Sequence, residues 1–258
     1  MPEPTALLYF EDEAPAALRL AAAANMDAQA IQRHRFPDGE IQLTLPARLP
    51  PRVVLLRSLN QPGDKLTELL LAAPTARQLG AQHLSLVTPY LAYMRQDMAF
   101  APGQAVSQRI VGRWLASLFD AVITVDPHLH RVASLAQAVP AQQAITLSAA
   151  PLLGDWIARH RPGAFLLGPD SESAQWVTQA ASAHGFEHAV CTKRRLGDRE
   201  VDVPQRHQRE RDEPPARVAA PLLDHPVVVG LHAGEAELLV VALVEGLTAE
   251  AGHRGERE

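Results

Sequence analysis

The chain of 258 residues lacks the features that mark secreted, membrane-spanning and nucleic-acid-binding proteins. Its single cysteine, Cys191, excludes an internal disulfide and is typical of a reducing compartment. No apolar run reaches the roughly 18 residues needed to cross a bilayer, and no leader pattern begins the sequence. Acidic residues outnumber basic ones by 29 to 24, which argues against a general binder of nucleic-acid phosphates. We therefore expect a cytoplasmic protein that binds neither membrane nor nucleic acid.

Apolar residues, in contrast, make up 47% of the sequence, enough to bury a large core. Short apolar runs alternate with helical patterns, which favours βαβ units and an α/β fold with mainly parallel sheets. Strands are predicted at Ala6–Phe10, Glu40–Leu45, Arg52–Arg57, His83–Thr88, Ala121–Val125, Ala164–Leu167, His188–Cys191 and Pro226–Leu231. Helices are predicted at about Lys65–Leu79, Val106–Phe119, Ala150–Arg159, Ser173–His184 and Glu235–Thr248.

Three further features refine this organisation. The stretch Pro140–Ser148 is poor in charge, so we place a boundary near residue 145, between domains at 1–145 and 146–258. Pro74 predicts a kink or an early end of the helix that contains it. The segment Arg195–Arg217 is rich in Arg, Glu, Gln and Pro, which is typical of a long exposed loop.

Polar clusters stand at the ends of predicted strands, where open parallel sheets bind their ligands. Four clusters follow strands and a fifth precedes one: Tyr90–Asp97, Asp126–His130, Gly168–Ser173, Thr192–Arg195 and Arg35–Glu40.

Each cluster also has a purely structural interpretation. Asp38 and Gly39 form a common turn pair, and His128 with His130 is either a structural pair or part of a metal site. Asp170 can cap a helix, although an anion can occupy the same helix start. In the remaining clusters, the tyrosines can be packing residues, Arg95 and Asp97 can form a surface ion pair, and Lys193–Arg195 can be a solvated basic face.

The five clusters together suit a ligand that is both aromatic and polyphosphorylated. Phe36 offers a ring for an adenine, while Asp38 and Glu40 can accept hydrogen bonds from its amino edge. Arg95, Gln96 and a divalent cation would offset the negative charge of phosphates during phosphoryl transfer.

The order of these motifs across about residues 30–203 resembles that of ribose-phosphate pyrophosphokinases, also called phosphoribosyl pyrophosphate synthetases. The resemblance is carried by Phe36-Pro-Asp-Gly-Glu40, Pro89-Tyr-Leu-Ala-Tyr-Met-Arg-Gln-Asp97, Ala105-Val-Ser107, Thr124-Val-Asp-Pro-His128, Gly168-Pro-Asp170 and Lys193-Arg-Arg195. It implies two tandem phosphoribosyltransferase-like domains, of which the second is divergent or shortened here. It also implies transfer of pyrophosphate from ATP to ribose 5-phosphate, with Mg2+, in a protein that forms homo-oligomers.

The resemblance assigns a role to each matching residue. Phe36, Asp38 and Glu40 would bind the adenine of ATP, and Arg95 and Gln96 its phosphates, with Asp97 positioning Arg95. His128 and Asp170 would be metal ligands, and Asp170 with Arg195 would contact ribose 5-phosphate. Lys193 and Arg195 would be the catalytic cations of a closing loop, where they offset charge that develops only in the transition state.

The tail departs from the family pattern. The family has paired acidic residues and then small hydroxylic residues and Gly, a turn that cradles the 5-phosphate of the sugar. Here no Asp-Asp pair exists, and from Arg199 onward there is no serine and a single threonine, Thr248. The nearest counterparts are Leu222–Gly230 and, as a looser turn, His232–Gly234.

Three interpretations of the tail follow. The first is an active synthetase with a rebuilt sugar-phosphate pocket, and the second is a non-catalytic, nucleotide-binding regulatory homologue. The third is a degraded or shifted reading frame after about Val203. We favour the first, an enzyme of nucleotide biosynthesis. A phosphoribosyltransferase is disfavoured, since it would need the missing turn and has no use for Phe36, Asp38 and Glu40.

Overall fold

A computed structural model describes residues 5–191 and the backbone of short strands at 194–195, 201–202, 205–207 and 227–228. The chain divides into two compact units, and the division falls between Leu147 and Ser148. Each unit has its own sheet and its own hydrophobic core. The predicted domain boundary near residue 145 is two residues away, but the assignment of the second unit as a phosphoribosyltransferase-like domain stays a prediction.

The first unit is a seven-stranded sheet with helices packed against it. Its elements, in chain order, are β1 (Thr5–Phe10), α1 (Ala14–Ala24), β2 (Asp27–Arg35), β3 (Ile41–Thr44), β4 (Arg52–Leu56), α2 (Pro62–Gln78), β5 (His83–Thr88), α3 (Ser107–Leu118), β6 (Ala121–Val125), α4 (Leu135–Ala138) and β7 (Gln143–Leu147). The strand order is β3-β2-β1-β4-β5-β6-β7, and every neighbouring pair is parallel except β2 with β3.

The central strands of this sheet hold the unit together because both of their faces are covered. Leu8, Leu55, Leu84 and Leu86 are fully buried in the larger core, whereas Leu7 belongs to a smaller cluster on α1. Strands buried on both faces read as continuous apolar runs, which is why these were predicted closely. The prediction of a mainly parallel α/β fold is confirmed.

The second unit begins with α5 (Ala150–His160) and continues through β8 (Leu166–Gly168), α6 (Ala174–Ser182) and β9 (His188–Cys191). The short strands β10 (Arg194–Arg195) and β11 (Val201–Asp202) pair antiparallel with each other. A second sheet has the order β12-β9-β8-β13, with β12 at Gln205–His207 and β13 at Val227–Val228. The backbone between 195 and 217 thus contains strand pairing where the sequence predicts one long loop. The predicted helix at 235–248 lies outside the described residues.

Sequence patterns missed α1, β2 and β7, each for a physical reason. The helix α1 is an alanine-rich stretch with little contrast between its faces, and β2 buries only Ile31 of its nine residues. The edge strand β7 buries none of its residues, so its pattern lacks the apolar run of a central strand. The helix α2 continues through Pro74 to Gln78, which makes the predicted early end wrong. Among the residues described, no helix is both long and apolar enough to span a membrane.

Candidate functional site

Two loops at the carboxyl edge of the first sheet carry most of the predicted phosphate and metal ligands. Residues 89–106, the β5–α3 segment, follow β5, and residues 126–134, the β6–α4 segment, follow β6. The two strands are direct parallel neighbours, with Thr88 opposite Thr124, so both segments leave the sheet side by side. Open α/β sheets bind ligands at such an edge.

The β5–α3 segment presents Arg95 toward solvent. Arg95 is exposed and forms no hydrogen bond or ion pair with the described residues. Gln96 is half-buried, and its side-chain amide donates to the Met98 carbonyl oxygen at 3.3 Å. The buried Gln108 at the start of α3 holds the segment in place, because its Nε2 donates to the Met94 carbonyl oxygen at 3.0 Å. An exposed guanidinium on a fixed backbone can bind an anion without breaking an internal contact.

Asp97 does not have the partner expected from the sequence. Its side chain is 1% exposed, and its Oδ1 accepts from Nη1 of Arg131 at 2.7 Å rather than from Arg95. Its Oδ2 is buried and has no hydrogen-bond partner among the described residues. Tyr90 is packed against the main core, but Tyr93 is 42% exposed and adopts a left-handed backbone, with φ of 64°. Tyr90 is therefore a packing residue of the core, whereas Tyr93 is exposed.

The β6–α4 segment holds His128 and His130 with their rings stacked at a centroid distance of 6.1 Å. His128 is partly exposed and His130 is exposed. Within the described part of the chain, no group of three His, Cys, Asp or Glu side chains is arranged to hold a metal ion. Mg2+ usually keeps several waters and binds through few protein ligands together with substrate phosphates. His128 could therefore serve magnesium only together with ligands from a bound phosphate or from elsewhere, and a magnesium site there stays a prediction.

The predicted adenine ligands lie at the tip of the β2–β3 hairpin. Residues 36–40 connect the two strands, where the Phe36 N–H donates to the Glu40 carbonyl oxygen at 2.8 Å. Asp38 accepts from the Glu40 N–H at 3.1 Å, and Gly39 has a φ of 96°, which a side chain would strain. The structural interpretation as a hairpin turn is thus correct. Phe36 is nevertheless 39% exposed, with its ring edge-to-face to His34 at 4.8 Å.

The hairpin and the phosphate loops share one edge of the sheet but stand apart on it. From Gln32 onward β2 pairs only with β3, so the tip extends about 13 Å past the last pairing with β1, at about 3.3 Å per residue. Three strand spacings separate β2 from β5, roughly 14 Å at about 4.8 Å each. The predicted adenine ligands and the predicted phosphate ligands thus lie at the same edge of the sheet but are not in contact.

A buried ionic network lies at the base of this hairpin. The Arg57 side chain, 1% exposed, donates to Glu68 at 2.7 Å and to Asp12 at 2.7 Å, and its guanidinium lies 4.6 Å from the centre of the Phe10 ring. Arg33 of β2 also pairs with Glu68. These contacts fix the hairpin to α2 and to the end of β1.

Charges in this network shift the pKa values of two carboxyl groups in opposite directions. Burial raises the pKa of Glu13, against the opposing effect of Arg57. Burial would also raise the pKa of Asp12, but its hydrogen bond and charge interaction with Arg57, together with Arg33, hold that pKa below its ordinary value. Asp12 is therefore easier to ionise than an ordinary aspartate, whereas Glu13 is harder to ionise than an ordinary glutamate.

The remaining predicted site residues belong to the second unit. Asp170 caps the helical turn before α6: its Oδ1 accepts from the Ser173 N–H at 3.1 Å, in a capping box completed by the Ser173 side chain. The helix-cap interpretation is therefore correct, and a role in binding metal or ribose stays a prediction. Lys193 and the side chain of Arg195 lie outside the described residues, as do Leu222–Gly230, apart from the backbone of β13, and His232–Gly234.

Sequence reasoning missed Arg131 and the network of Arg33, Arg57 and Glu68. Arg131 follows His130 directly, but nothing in its neighbours indicates a partner 34 residues away. Glu68 stands within an apolar helical pattern, and a buried carboxylate at such a position is a sign of a partner. That sign does not identify which arginine pairs with it.

Comparisons with known proteins identify the family and agree with the fold. A family model described as the N-terminal domain of ribose phosphate pyrophosphokinase matches residues 5–118. The ribose-phosphate pyrophosphokinase of Methanopyrus kandleri is 36% identical over 198 residues, which cover 75% of this chain and 65% of the relative. That of Methanosarcina acetivorans is 30% identical over 200 residues, which cover 74% of this chain and 68% of the relative.

A solved structure, phosphoribosylpyrophosphate synthetase from Mycobacterium smegmatis, has the same fold. It aligns with a TM-score of 0.66 and 20% identity, over 78% of this chain and 67% of that one. The fold and the two neighbouring loops define a mainly parallel α/β protein with a candidate ligand site at the carboxyl edge of its first sheet. The chain belongs to the ribose-phosphate pyrophosphokinase family. Its match spans about two thirds of the length of the relatives, 65% and 66% for the first two.

Proposed function

We propose that this protein transfers pyrophosphate from ATP to ribose 5-phosphate, which gives phosphoribosyl pyrophosphate and AMP. The observation that carries the proposal is the exposed Arg95, beside Gln96, on a loop next to that of His128 in a chain of this family. A cation and a ring nitrogen on adjacent strand ends suit a bound polyphosphate. We also propose that the protein acts in the cytoplasm and forms homo-oligomers, as the family resemblance implies.

In this proposal the first unit binds the nucleotide. Phe36, Asp38 and Glu40 recognise adenine from the exposed hairpin tip, and Arg95 with Gln96 holds the phosphates. ATP enters as its magnesium complex, and magnesium would offset phosphate charge beside His128 when bound. Arg95 is suited to its role because its guanidinium has no competing carboxylate among the described residues.

The sugar phosphate is bound by the second part of the chain. The 1-hydroxyl oxygen of ribose 5-phosphate loses its proton to solvent and bonds to the β-phosphorus of ATP. The bond between that phosphorus and the oxygen that leaves with AMP breaks. Lys193 and Arg195 stabilise the charge that develops on the transferring group, and Asp170 with Arg195 contacts the sugar phosphate. In the structure, Asp170 Oδ1 accepts from the Ser173 N–H in the helix cap.

The direct test is an assay of the purified protein with ATP, ribose 5-phosphate and Mg2+. We expect AMP and phosphoribosyl pyrophosphate in equal amounts. ATP binding by calorimetry without either product would overturn the enzyme and leave a nucleotide-binding regulatory homologue. Absence of both binding and turnover would overturn the whole proposal.

Two variants separate binding from chemistry. Arg95→Ala should weaken ATP binding on the order of 10-fold or more, because a charge-assisted contact to phosphate is lost. Lys193→Ala should retain ATP binding and lower kcat by about 100-fold or more. The control is Arg113→Ala on α3, which removes an exposed arginine that has no hydrogen bond or ion pair among the described residues. An unchanged kcat in Lys193→Ala would refute its catalytic role.

A further inference from the structure

Arg131 joins the two loops that carry the phosphate and metal ligands. We propose that Arg131 is a positioning residue, which through Asp97 and Phe100 sets the relative position of Arg95 and His128. The inference rests on the proposed function, since it assigns a role within that same site. Arg131 follows His130 and lies three residues after His128, whereas Asp97 follows Gln96 and lies two residues after Arg95.

The contact is unusual because its two partners differ in exposure. The Asp97 carboxylate is 1% exposed, while the Arg131 side chain is 44% exposed and reaches in from the neighbouring loop. The ion pair joins the two segments, and close by the Val125 N–H at the end of β6 donates to the Pro89 carbonyl oxygen at 3.4 Å. A buried carboxylate with one charged partner depends strongly on that partner.

Phe100 gives Arg131 a second contact on the same loop. The Arg131 guanidinium carbon lies 5.7 Å from the centre of the Phe100 ring, within the range of a cation–π interaction. Phe100 is 64% exposed, and its N–H donates to the side chain of Gln104 at 2.9 Å in a local turn. Arg131 therefore contacts the β5–α3 segment on both sides of Met98. These two contacts hold the backbone of that segment and not only one of its side chains.

The Asp97 carboxylate makes its protein hydrogen bond through one oxygen. A carboxylate retained only for stability would normally use both oxygens, since a buried oxygen without a partner is unfavourable. Oδ2 has no hydrogen-bond partner among the described residues, so Asp97 binds Arg131 through Oδ1 alone. The buried Asp97 carboxylate is thus held by one charge-assisted contact, from the segment that follows β6.

The test uses Arg131→Met, which keeps the aliphatic length and removes the charge. We expect kcat/KM for ATP to fall on the order of 10- to 100-fold, because misplacement of reacting groups by about 1 Å has effects of that size. Arg113→Met on α3 is the matched control, and we expect its kcat/KM to stay within twofold of wild type. Arg131→Lys, which keeps the ion pair but loses the planar contact with Phe100, should give an intermediate value.

A double variant separates positioning from simple charge balance. Asp97→Asn with Arg131→Met removes both charges, so it should recover the thermal stability lost in Arg131→Met but not kcat/KM. Recovery of both together, or an Arg131→Met variant with kcat/KM within twofold of wild type, would overturn the inference. If Arg131→Met does not fold, the double variant supplies the measurement. Wild-type protein without turnover would instead overturn the proposed function, which keeps the two failures distinct.

Discussion

At the scale of single residues, burial decides which charges matter to the fold. Arg57 and Glu68 are fully buried and paired with each other, whereas Arg95 is exposed and unpaired among the described residues. A buried ion pair stabilises little in total, but removal of one partner leaves an uncompensated charge. Arginines of this protein thus differ in environment: Arg57 is structural, whereas Arg95 is the one proposed to bind phosphate.

Arg57→Met should destabilise the protein by about 3 kcal/mol, because Glu68 and Asp12 lose their shared cation. Chemical denaturation at pH 7 measures this change. The control is Arg48→Met, an exposed arginine, which should change the free energy of unfolding by no more than about 0.5 kcal/mol. Equal effects of the two substitutions would show that Arg57 is not part of a stabilising network.

Asp120 provides a pH-dependent contribution to stability. Burial would raise its pKa, but the Leu84 N–H and the Arg77 guanidinium, at 2.7 and 2.8 Å, hold that pKa below its ordinary value of 3.8. A depressed carboxyl pKa adds stability that is complete above about pH 4 and is lost as the pH falls through the folded-state value.

We therefore expect Asp120→Asn to lower the free energy of unfolding by about 1 to 2 kcal/mol at pH 7. The difference from wild type should shrink below about pH 4, where the unfolded-state carboxylate becomes protonated, and continue to fall as the pH approaches the lower native pKa. Urea denaturation between pH 3 and pH 7 measures it. Asp27→Asn, at an exposed carboxylate bonded to Gln29, is the control, and a difference independent of pH would contradict the assigned cause.

At the scale of elements, close approach of backbones fixes how helices pack beside the sheet. Gly112 of α3 lies against the end of α4, where an added Cβ would stand 1.8 Å from the Ala138 carbonyl oxygen. Gly154 of α5 has the same relation to α6, with 2.2 Å to the Ala180 carbonyl oxygen. Backbone atoms cannot move aside as the end of a flexible side chain can, so an alanine does not fit at Gly112 or Gly154.

Gly112→Ala should destabilise the first unit by about 2 to 3 kcal/mol through overpacking, despite the better helix propensity of alanine. Its control is Gly63→Ala in the first turn of α2, where an added Cβ meets nothing within 4 Å. We expect that substitution to be neutral or slightly stabilising. Equal destabilisation in the two variants, measured by chemical denaturation, would contradict the packing argument.

At the scale of the whole molecule, all of the proposed ATP ligands lie in the first unit. Its large core and a smaller cluster on α1 lie within residues 1–147, so this part should fold alone. A fragment of residues 1–147 should unfold in one cooperative transition and bind ATP within about 10-fold of the full chain. It should show no turnover, since Lys193 and Arg195 are missing. A fragment without cooperative unfolding by circular dichroism would refute an autonomous unit.

The sequence by itself determined the parallel α/β class, the central strands and the family. Apolar runs of strands buried on both faces, and motifs in fixed order, are local properties that a sequence displays. It also located Arg95, Gln96 and His128 at strand ends, where the structure has them. The strands β2 and β7 escaped prediction because their mostly exposed residues carry no apolar pattern.

Only the tertiary structure decided which distant residues meet. The sequence indicated Asp97 as the neighbour of Arg95, but the fold places Arg131 against it from the adjacent strand end. The fold likewise brings Glu68 together with Arg33 and Arg57, which are distant in sequence. It also places Phe36 at the tip of a projecting hairpin. Contacts of this kind depend on the order of strands in the sheet, and strand order arises from packing of the whole unit rather than from any local run of residues.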